Sequence, residues 1–398
     1  MPRLTLRTAG ESHGPAIVAV LDGLPHGLHV SKEAIDRDLK RRQMGYGRGG
    51  RMKIERDEVE VLAGLRGGRT LGSPLAMVVR NRDHEKWLDS MHPFDEAVAA
   101  QAAAITRPRP GHVDLAGALK YGLDDARDVL ERSSARSTAA RVAAGAVAKA
   151  LLGDCGIEIM THVVRIGGVE APPIREDAAR QQYERASFAQ ARARAEESEV
   201  RCADAAASAA MVAAIQAAQK EGDSLGGVVE VVAWNVPPGL GSHAEWTERL
   251  DARIALALMS IQAMKGVEIG LGFAASHKPG SQVHDPIAHD GRRFTRPSNH
   301  AGGIEGGITN GEPVIARAAM KPIPTLARPL ASVDQVTREP FSAQKERTDS
   351  CAVPAAAVVA EAALALVLAD ALLDKTGGDT MDEVRERLAA YEERLAAR

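Results

Sequence analysis

The stretch Gly10-Glu11-Ser12-His13-Gly14 combines an acid, a hydroxyl and an imidazole between two glycines near the start of the chain. Glycine adopts positive φ angles readily and lets a ligand approach the backbone closely. Histidine is the side chain that changes its charge near neutral pH without help from its surroundings. A histidine in such a turn is therefore a candidate acid or base, although a glycine turn with an incidental histidine is also common.

Other loops along the chain also contain arginine, lysine or histidine, and most of them are rich in glycine, proline or serine. With the first stretch they comprise residues 10–14, 41–51, 107–112, 132–136, 321–325 and 347–349. Arginine suits anion binding because its planar guanidinium stays charged and can form two parallel hydrogen bonds to phosphate or carboxylate. The whole chain has a net charge of −3, so these loops are locally basic in a chain that is not. Together they predict a site for a small molecule with several negative charges, whereas each alone would be a solvated loop.

Two histidines and one aspartate in these loops could move protons. His13 and His112 each lie beside a glycine, and both are candidate general acids. Asp349 follows Arg347 by two residues, so we expect it to stay ionised and to serve as a base or an orienting group. The alternative for Asp349 is a structural role as the N-cap of the apolar helix that follows.

The composition is that of an ordinary globular protein and argues against several functional classes. The chain has 398 residues, of which 45% are hydrophobic and 26% charged. Its small net charge gives no general attraction to nucleic acid or membranes. Three widely spaced cysteines fit a reducing cytoplasm rather than a disulfide framework, and residues 1–20 lack the apolar segment of a signal peptide.

Familiar cofactor motifs are missing from the sequence. It contains no P-loop, no glycine fingerprint for dinucleotides and no HExxH motif. His277, His284 and His289 lack metal-ligand spacing, so we expect no metal site.

The loop at residues 48–51 resembles a single RGG repeat of RNA-binding tails, so RNA binding is the alternative function from a non-enzyme class. Only 3% of the residues are aromatic, which argues against base stacking.

Periodicity and capping signals predict the elements that position these loops. A pair of strands should flank residues 10–14, and Ser31 should cap a helix that ends near Arg42. Further helices are expected at residues 138–152, 203–220 and 250–265. The charged residues 172–201 predict an exposed helix or excursion.

The C-terminal part of the chain predicts two more helices. Residues 352–370 are almost all apolar but include a proline and a glutamate, so they predict a buried core helix rather than a membrane span. Thr380 and Glu383 predict a capping box at the start of the last helix.

Residues 71–79 and 225–232 are similar, since each is a turn followed by an apolar strand with an asparagine after it. This similarity indicates two related halves.

Residues 10–14, 132–136 and 347–354 resemble the three signature stretches of the chorismate synthase family, in that family's order. Other stretches also match the family, at residues 41–48, 107–112, 261–263, 299–307 and 321–322. The resemblance therefore covers essentially the whole chain. It departs from the usual pattern at Ser137, where Glu is common, at Thr348, where Ser is common, and at Pro324, where Ser or Thr is frequent.

The resemblance implies a reaction and an architecture. The reaction is trans-1,4 elimination of phosphate from 5-enolpyruvylshikimate 3-phosphate to give chorismate, in the shikimate pathway. It needs reduced FMN although it is redox-neutral overall, and NADPH is left open as the source of the reducing equivalents. The implied fold is α+β, with core helices sandwiched between antiparallel sheets in a duplicated β-α-β sandwich. We expect one domain over residues 1–398, assembled as a cytoplasmic homotetramer.

The resemblance also implies roles for single residues. His13 would protonate the departing phosphate, His112 would protonate or hydrogen-bond the reduced flavin, and Asp349 would assist removal of the ring proton by way of flavin N5. The residues implied to hold substrate anions are Arg42, Arg48, Ser134, Arg136 and Arg347. Those implied to contact FMN are Arg132, Ser133, Ser134, Gln262, Ala263, Gly306, Lys321, Pro322, Ile323, Pro324, Thr325 and Arg347.

One rival enzyme class uses the same residues. A histidine-dependent phosphatase would attack a small anionic phosphoester with His13 as the nucleophile. Such an enzyme needs no flavin, so flavin dependence separates the two hypotheses.

Overall fold

The computed structural model describes residues 3–48, 56–171, 185–342 and 349–397. The helices in these ranges are α1 (Lys32–Gln43), α2 (Glu96–Ala99), α3 (Asp114–Tyr121), α4 (Arg127–Ser133), α5 (Thr138–Asp154), α6 (Arg185–Glu197), α7 (Ala205–Glu221), α8 (Leu250–Met259), α9 (Val353–Thr376) and α10 (Met381–Ala396). The strands are β1 (Thr5–Ala9), β2 (Ala16–Asp22), β3 (Val59–Ala63), β4 (Leu65–Arg66), β5 (Arg69–Thr70), β6 (Leu75–Arg80), β7 (Glu158–Ile166), β8 (Val169–Glu170), β9 (Gly227–Trp234), β10 (Met264–Ile269), β11 (Ala288–His289), β12 (Phe294–Thr295), β13 (Ile304–Glu305), β14 (Ile308–Thr309), β15 (Val314–Met320), β16 (Ala331–Val333) and β17 (Pro340–Ser342).

Two antiparallel sheets enclose a layer of helices. The first sheet has the strand order β1-β2-β6-β3, and the second has the order β10-β15-β9-β7-β8. Helix α5 packs on the first sheet, α9 packs on the second, and the two helices pack on each other. The expected α+β sandwich is thereby confirmed, and so is the strand pair β1–β2 around residues 10–14.

Helix α9 is the centre of the core. Among the described residues it is the helix long and apolar enough to span a membrane, yet 89% of its most apolar window is buried inside the protein. The expectation of a buried core helix is confirmed. It approaches α5 closely, because a Cβ added at Gly145 would lie 2.3 Å from the Ala362 Cβ. The contact between these two helices is therefore one of backbone against small side chains.

Local capping signals place two helix starts correctly. The Ser31 hydroxyl accepts a hydrogen bond from the Ala34 N–H (3.2 Å) at the start of α1. Thr380 and Glu383 form the expected capping box at the start of α10. The helix at residues 138–152 is also present, as α5.

Two expectations about helices are wrong in part. The helix expected at residues 250–265 ends at Met259, because Met264 pairs with Met320 of β15 and Ala263 has a φ of 66°. In the segment 172–201, residues 172–184 lie outside the described residues. Helix α6 is not simply exposed, since Phe188 is 1% exposed and packs in a cluster with Met160.

The hypothesis of two related halves stays a prediction. The two strands on which it rests, β6 and β9, are both inner strands, one in each main sheet.

Candidate active site

His13 lies in the turn between β1 and β2, and a buried carboxylate holds it. Its backbone N–H donates to Glu131 Oε2 (2.8 Å), and its ring Nδ1 lies 2.7 Å from Glu131 Oε1. The ring stacks on Trp87 with centroids 4.0 Å apart. The turn needs glycine at position 10, where φ is 109° and a Cβ would lie 2.2 Å from the Ala16 carbonyl oxygen.

Glu131 is ionised although it is 2% exposed. Burial acts to raise the pKa of its carboxyl, but the hydrogen bonds from the His13 ring and backbone outweigh burial and hold the pKa below its ordinary value. An ionised carboxylate only accepts hydrogen bonds, so His13 Nδ1 carries the proton between them.

Arg42 and Arg136 share one buried carboxylate, that of Asp57. Arg42 NH2 lies 2.5 Å from Asp57 Oδ2, and Arg136 NH1 binds the other oxygen. Burial acts to raise the pKa of Asp57, but the two guanidinium groups hold it below its ordinary value. Burial, and then the nearby charges of Arg136 and Arg48, lower the pKa of Arg42 despite the attraction of Asp57.

Arg42 has a buried donor without an acceptor in this arginine cluster. Both guanidinium groups bind Asp57, and Arg42 Nε is buried without a hydrogen-bond acceptor among the described residues. Leaving a buried cation incompletely paired is costly, so such a cluster favours binding of an anion. The geometry thus supports the predicted anion site at Arg42 and Arg136.

The first two signature stretches contact each other directly. Ser12 Oγ lies 3.1 Å from Ser134 Oγ, which also accepts the Arg136 backbone N–H (3.2 Å) at a 3-10 turn before α5. Asn81 joins both stretches, since its Oδ1 accepts from Arg136 Nε (2.6 Å) and its Nδ2 donates to the Gly14 carbonyl (2.6 Å).

Asp349 pairs with Arg48 instead of capping a helix. Arg48 NH1 lies 2.6 Å from Asp349 Oδ2, and the Ser350 N–H donates to the Gly47 carbonyl oxygen (2.8 Å). The N-cap position of α9 is held by Ala352, so the capping alternative for Asp349 is wrong. Arg347 and Thr348 lie outside the described residues.

His112 belongs to a second hydrogen-bonded cluster, built on Asp114. His112 Nδ1 lies 2.5 Å from Asp114 Oδ1, and Arg109 Nε donates to Asp114 Oδ2 (2.8 Å). Burial acts to raise the pKa of Asp114, but hydrogen bonds from His112 and Arg109 hold it far below its ordinary value. The Lys321 ammonium donates to the Gly111 carbonyl, which places the loop 321–325 against this cluster.

The other residues expected to contact flavin fall into connected groups. Gln262 Nε2 donates to Ser137 Oγ (2.9 Å), and Ser137 Oγ donates to the Ser134 carbonyl (2.9 Å). The Lys321 N–H donates to the Ala263 carbonyl (3.0 Å). Arg132 NH1 donates to the Gly10 carbonyl (3.1 Å). Ser133 follows Arg132 in the chain, and its Oγ donates to the Leu130 carbonyl (3.2 Å). Ile323 and Thr325 belong to the same loop as Lys321.

Gly306 stands apart from these groups. It follows β13 in the turn whose Gly307 carbonyl accepts the Leu250 N–H (2.9 Å), at the start of α8. Gln262 lies beyond the other end of α8, and a helix of 10 residues is about 15 Å long.

Sequence reasoning missed the buried carboxylates. Glu131 directly precedes the stretch 132–136, and Asp114 follows the stretch 107–112 by two residues. An acid so close to a basic motif is the signal in the sequence that indicates both. Asp57 has no such signal, because it meets Arg42 and Arg136 only through the fold. Within the described ranges no group of three or more His, Cys, Asp or Glu side chains could hold a metal ion.

Comparison with known proteins assigns the family. A sequence model of chorismate synthase matches residues 4–373. The chain is 58% identical to a chorismate synthase of Moorella thermoacetica over 389 residues, with 98% of each chain covered. It is 56% identical to that of Trichlorobacter lovleyi over 392 residues, covering 96% of this chain and 97% of the relative. A crystal structure of chorismate synthase, 43% identical, superimposes with a TM-score of 0.80 over 99% of each chain. The chain therefore belongs to the chorismate synthase family.

Proposed function

We propose that the arginine-lined site beside His13 is where this protein forms chorismate, by trans-1,4 elimination of phosphate from 5-enolpyruvylshikimate 3-phosphate. The enzyme class, a carbon–oxygen lyase acting on a phosphate, follows from the family. The observation that carries the proposal to these residues is the buried pair Arg42 and Arg136, which share the Asp57 carboxylate, with Arg42 Nε left without an acceptor among the described residues.

The charges of the site suit the substrate. The substrate carries one phosphate and two carboxylates, and the site offers Arg42, Arg136 and Arg48 with the Ser134 hydroxyl. A bound anion would supply the acceptors that the buried guanidinium groups need, for example at Arg42 Nε. Arg347, the further expected ligand, lies outside the described residues.

Proton transfer is assigned to two residues of the site. His13 donates a proton to the departing phosphate, which leaves as an anion beside the arginines. Asp349 is the carboxylate assigned to the proton lost from the substrate ring, and its ion pair with Arg48 keeps it at the edge of the arginine cluster.

The family uses reduced flavin, and the residues here fit such a group. The donor set combines the cations Arg132 and Lys321, the Gln262 amide and the His112 ring. Gly306 stands apart from this set and is a separate predicted contact, with open space where a Cβ would lie. Bound by these residues, reduced FMN would supply the electron density that the elimination of phosphate needs. The chain's part is to bind the flavin with these groups, to orient it through the 321–325 loop and to offer a hydrogen bond from His112.

Several finer points belong to the proposal. The enzyme would work as a homotetramer in the cytoplasm, on a small-molecule substrate and without a nucleic-acid or membrane partner, and NADPH is the candidate source of reducing equivalents. The burial of α9 supports the absence of a membrane partner. Nothing in the family assignment supports the histidine phosphatase.

An anaerobic assay tests the function. The protein is incubated with 5-enolpyruvylshikimate 3-phosphate and FMN, either reduced or oxidised, and chorismate and phosphate are followed together. Equal amounts of chorismate and phosphate, formed only with reduced FMN, are expected. Phosphate without chorismate and without flavin would identify a phosphatase, and no turnover with reduced FMN would refute the proposal.

A further inference from the structure

Glu131 makes three hydrogen bonds to the turn, two to His13 and one to Ser12. Its carboxylate accepts the His13 backbone N–H (2.8 Å) and bonds the ring Nδ1 (2.7 Å), while its backbone carbonyl accepts the Ser12 N–H (3.0 Å). Glu131 lies on α4, one residue before the signature stretch 132–136. A single residue of α4 therefore determines both where the turn runs and how the ring is rotated.

The indole of Trp87 restricts the ring from another side. The imidazole and indole rings are stacked, with an interplanar angle of 27°. The backbone carbonyl of His13 is bonded in turn by His84 Nδ1 (2.8 Å). With one edge on Glu131 and one face on Trp87, the His13 side chain is 14% exposed, and the Nε2 edge points away from Glu131.

We infer that Glu131 is a positioning residue for the elimination reaction: it fixes the proton of His13 on Nδ1 so that the proton given to the departing phosphate comes from Nε2. The inference rests on the proposed function, in which His13 is the acid. As the carbon–oxygen bond breaks, the Nε2 proton passes to a phosphate oxygen. The ring becomes neutral and keeps its Nδ1 proton, which stays hydrogen-bonded to Glu131. The Glu131 carboxylate itself takes up no proton.

The ionised carboxylate opposes rotation of the ring, because rotation would break a hydrogen bond between buried groups. It also accepts the His13 backbone N–H, so the ring and the backbone of His13 are held by one side chain.

Glu131→Gln tests the inference, because the amide has the same shape but no charge. The matched control is Asp128→Asn, an exposed carboxylate in the first turn of the same helix. We expect Glu131→Gln to lower kcat about tenfold or more, with the substrate Kd, measured with oxidised FMN so that no turnover occurs, changed by less than about twofold. Asp128→Asn should leave kcat and Kd unchanged.

A double variant separates positioning from a general structural effect. In a His13→Ala background, Glu131→Gln should change the remaining turnover by less than about twofold, because its effect passes through the imidazole. Unchanged kcat in the single variant would overturn the inference. So would an equal loss in both backgrounds, or a loss of kcat that accompanies unfolding by circular dichroism. Wild-type protein without chorismate formation would refute the proposed function itself, whereas a fully active His13→Ala variant would refute the role of His13 and, with it, this inference.

Discussion

The Arg48 guanidinium lies 2.6 Å from the Asp349 carboxylate, so an ion pair joins the loop after α1 to the segment that leads into α9. Their side chains are 15% and 22% exposed, which leaves the pair accessible to a ligand. The pair is also internally neutral. Because Arg48 also lies close to Arg42, Asp349 is an anion at the edge of the arginine cluster.

Asp349→Asn should separate catalysis from substrate binding. The amide keeps the shape but cannot accept the ring proton, so we expect kcat to fall about a hundredfold. KM should stay the same or fall, because Arg48 loses its ion pair with Asp349 and can contribute more to binding the substrate. Steady-state kinetics with reduced FMN measure both. The control is Glu158→Gln, which removes one partner of the exposed pair with Arg192; a rise in KM with unchanged kcat would contradict the assignment.

Asp57→Asn should make the protein depend on anions for stability. The change removes the carboxylate that Arg42 and Arg136 share, and breaking a buried ion pair costs about 3–5 kcal/mol. Phosphate binding would supply the missing charge. Thermal unfolding with and without phosphate should show a larger increase in Tm for the variant than for the wild type, at the same ionic strength. Equal increases in both proteins would argue against an anion site at these arginines.

Glu230 should stabilise the fold in a pH-dependent manner. It is fully buried in β9, with His162 Nε2 at 2.8 Å and Arg317 Nε at 2.7 Å. Burial acts to raise its pKa, but hydrogen bonds and charge from His162 and then Arg317 lower it from 4.5 to about 2. Because the folded-state pKa is depressed, the stabilisation is complete above about pH 4.5 and is lost as the pH falls toward 2.

The Glu230→Gln variant measures this stabilisation. Its free energy of unfolding in urea should fall by about 3 kcal/mol at pH 7 and pH 5, and by less at pH 3. The exposed Glu158→Gln variant should lose no more than about 1 kcal/mol at any of these values. A difference between wild type and Glu230→Gln that grew at low pH would contradict the depressed pKa.

Gly10→Ala should damage the turn that holds His13. The new Cβ would lie 2.2 Å from the Ala16 carbonyl oxygen, in a backbone conformation with a φ of 109° that L-residues avoid. We expect a lower Tm and a loss of turnover of about tenfold or more, because small displacements of an acid are costly. Gly67→Ala is the control, since φ is 57° there and nothing lies within 4 Å of the new Cβ. It should cost about 1 kcal/mol of stability and no activity.

Local signals in the sequence predict the elements well, and tertiary pairings account for the errors. Ser31 and Thr380 act within one helical turn, so their helices begin where expected. Helix α8 ends earlier than the sequence predicts, because Met264 lies in β10 and pairs with Met320, a residue distant in sequence. Helix propensity in an alanine- and leucine-rich stretch cannot reveal that competition.

The candidate site shows the same division. The residue types of Arg42, Arg136 and Asp349 pointed to anion binding and proton transfer, and their contacts support that prediction. The partners that determine their charge, Asp57 and Glu131, became visible only in the fold. The sequence contains 53 acidic residues, and nothing in it indicates which of their carboxylates are buried or which cations they pair with.

The close contact between Gly145 and Ala362 has a consequence for the distant arginines. Helix α5 begins just after Arg136, and α9 begins just after Asp349, so both start at the site and meet two to three turns further on. A methyl group at Gly145 would force the helices apart, since its carbon would lie 2.3 Å from the Ala362 Cβ. Arg136 and Asp349 would then move relative to one another. The distance between these two candidate site residues is therefore determined, in part, by a pair of small residues that lie two to three helical turns away from them.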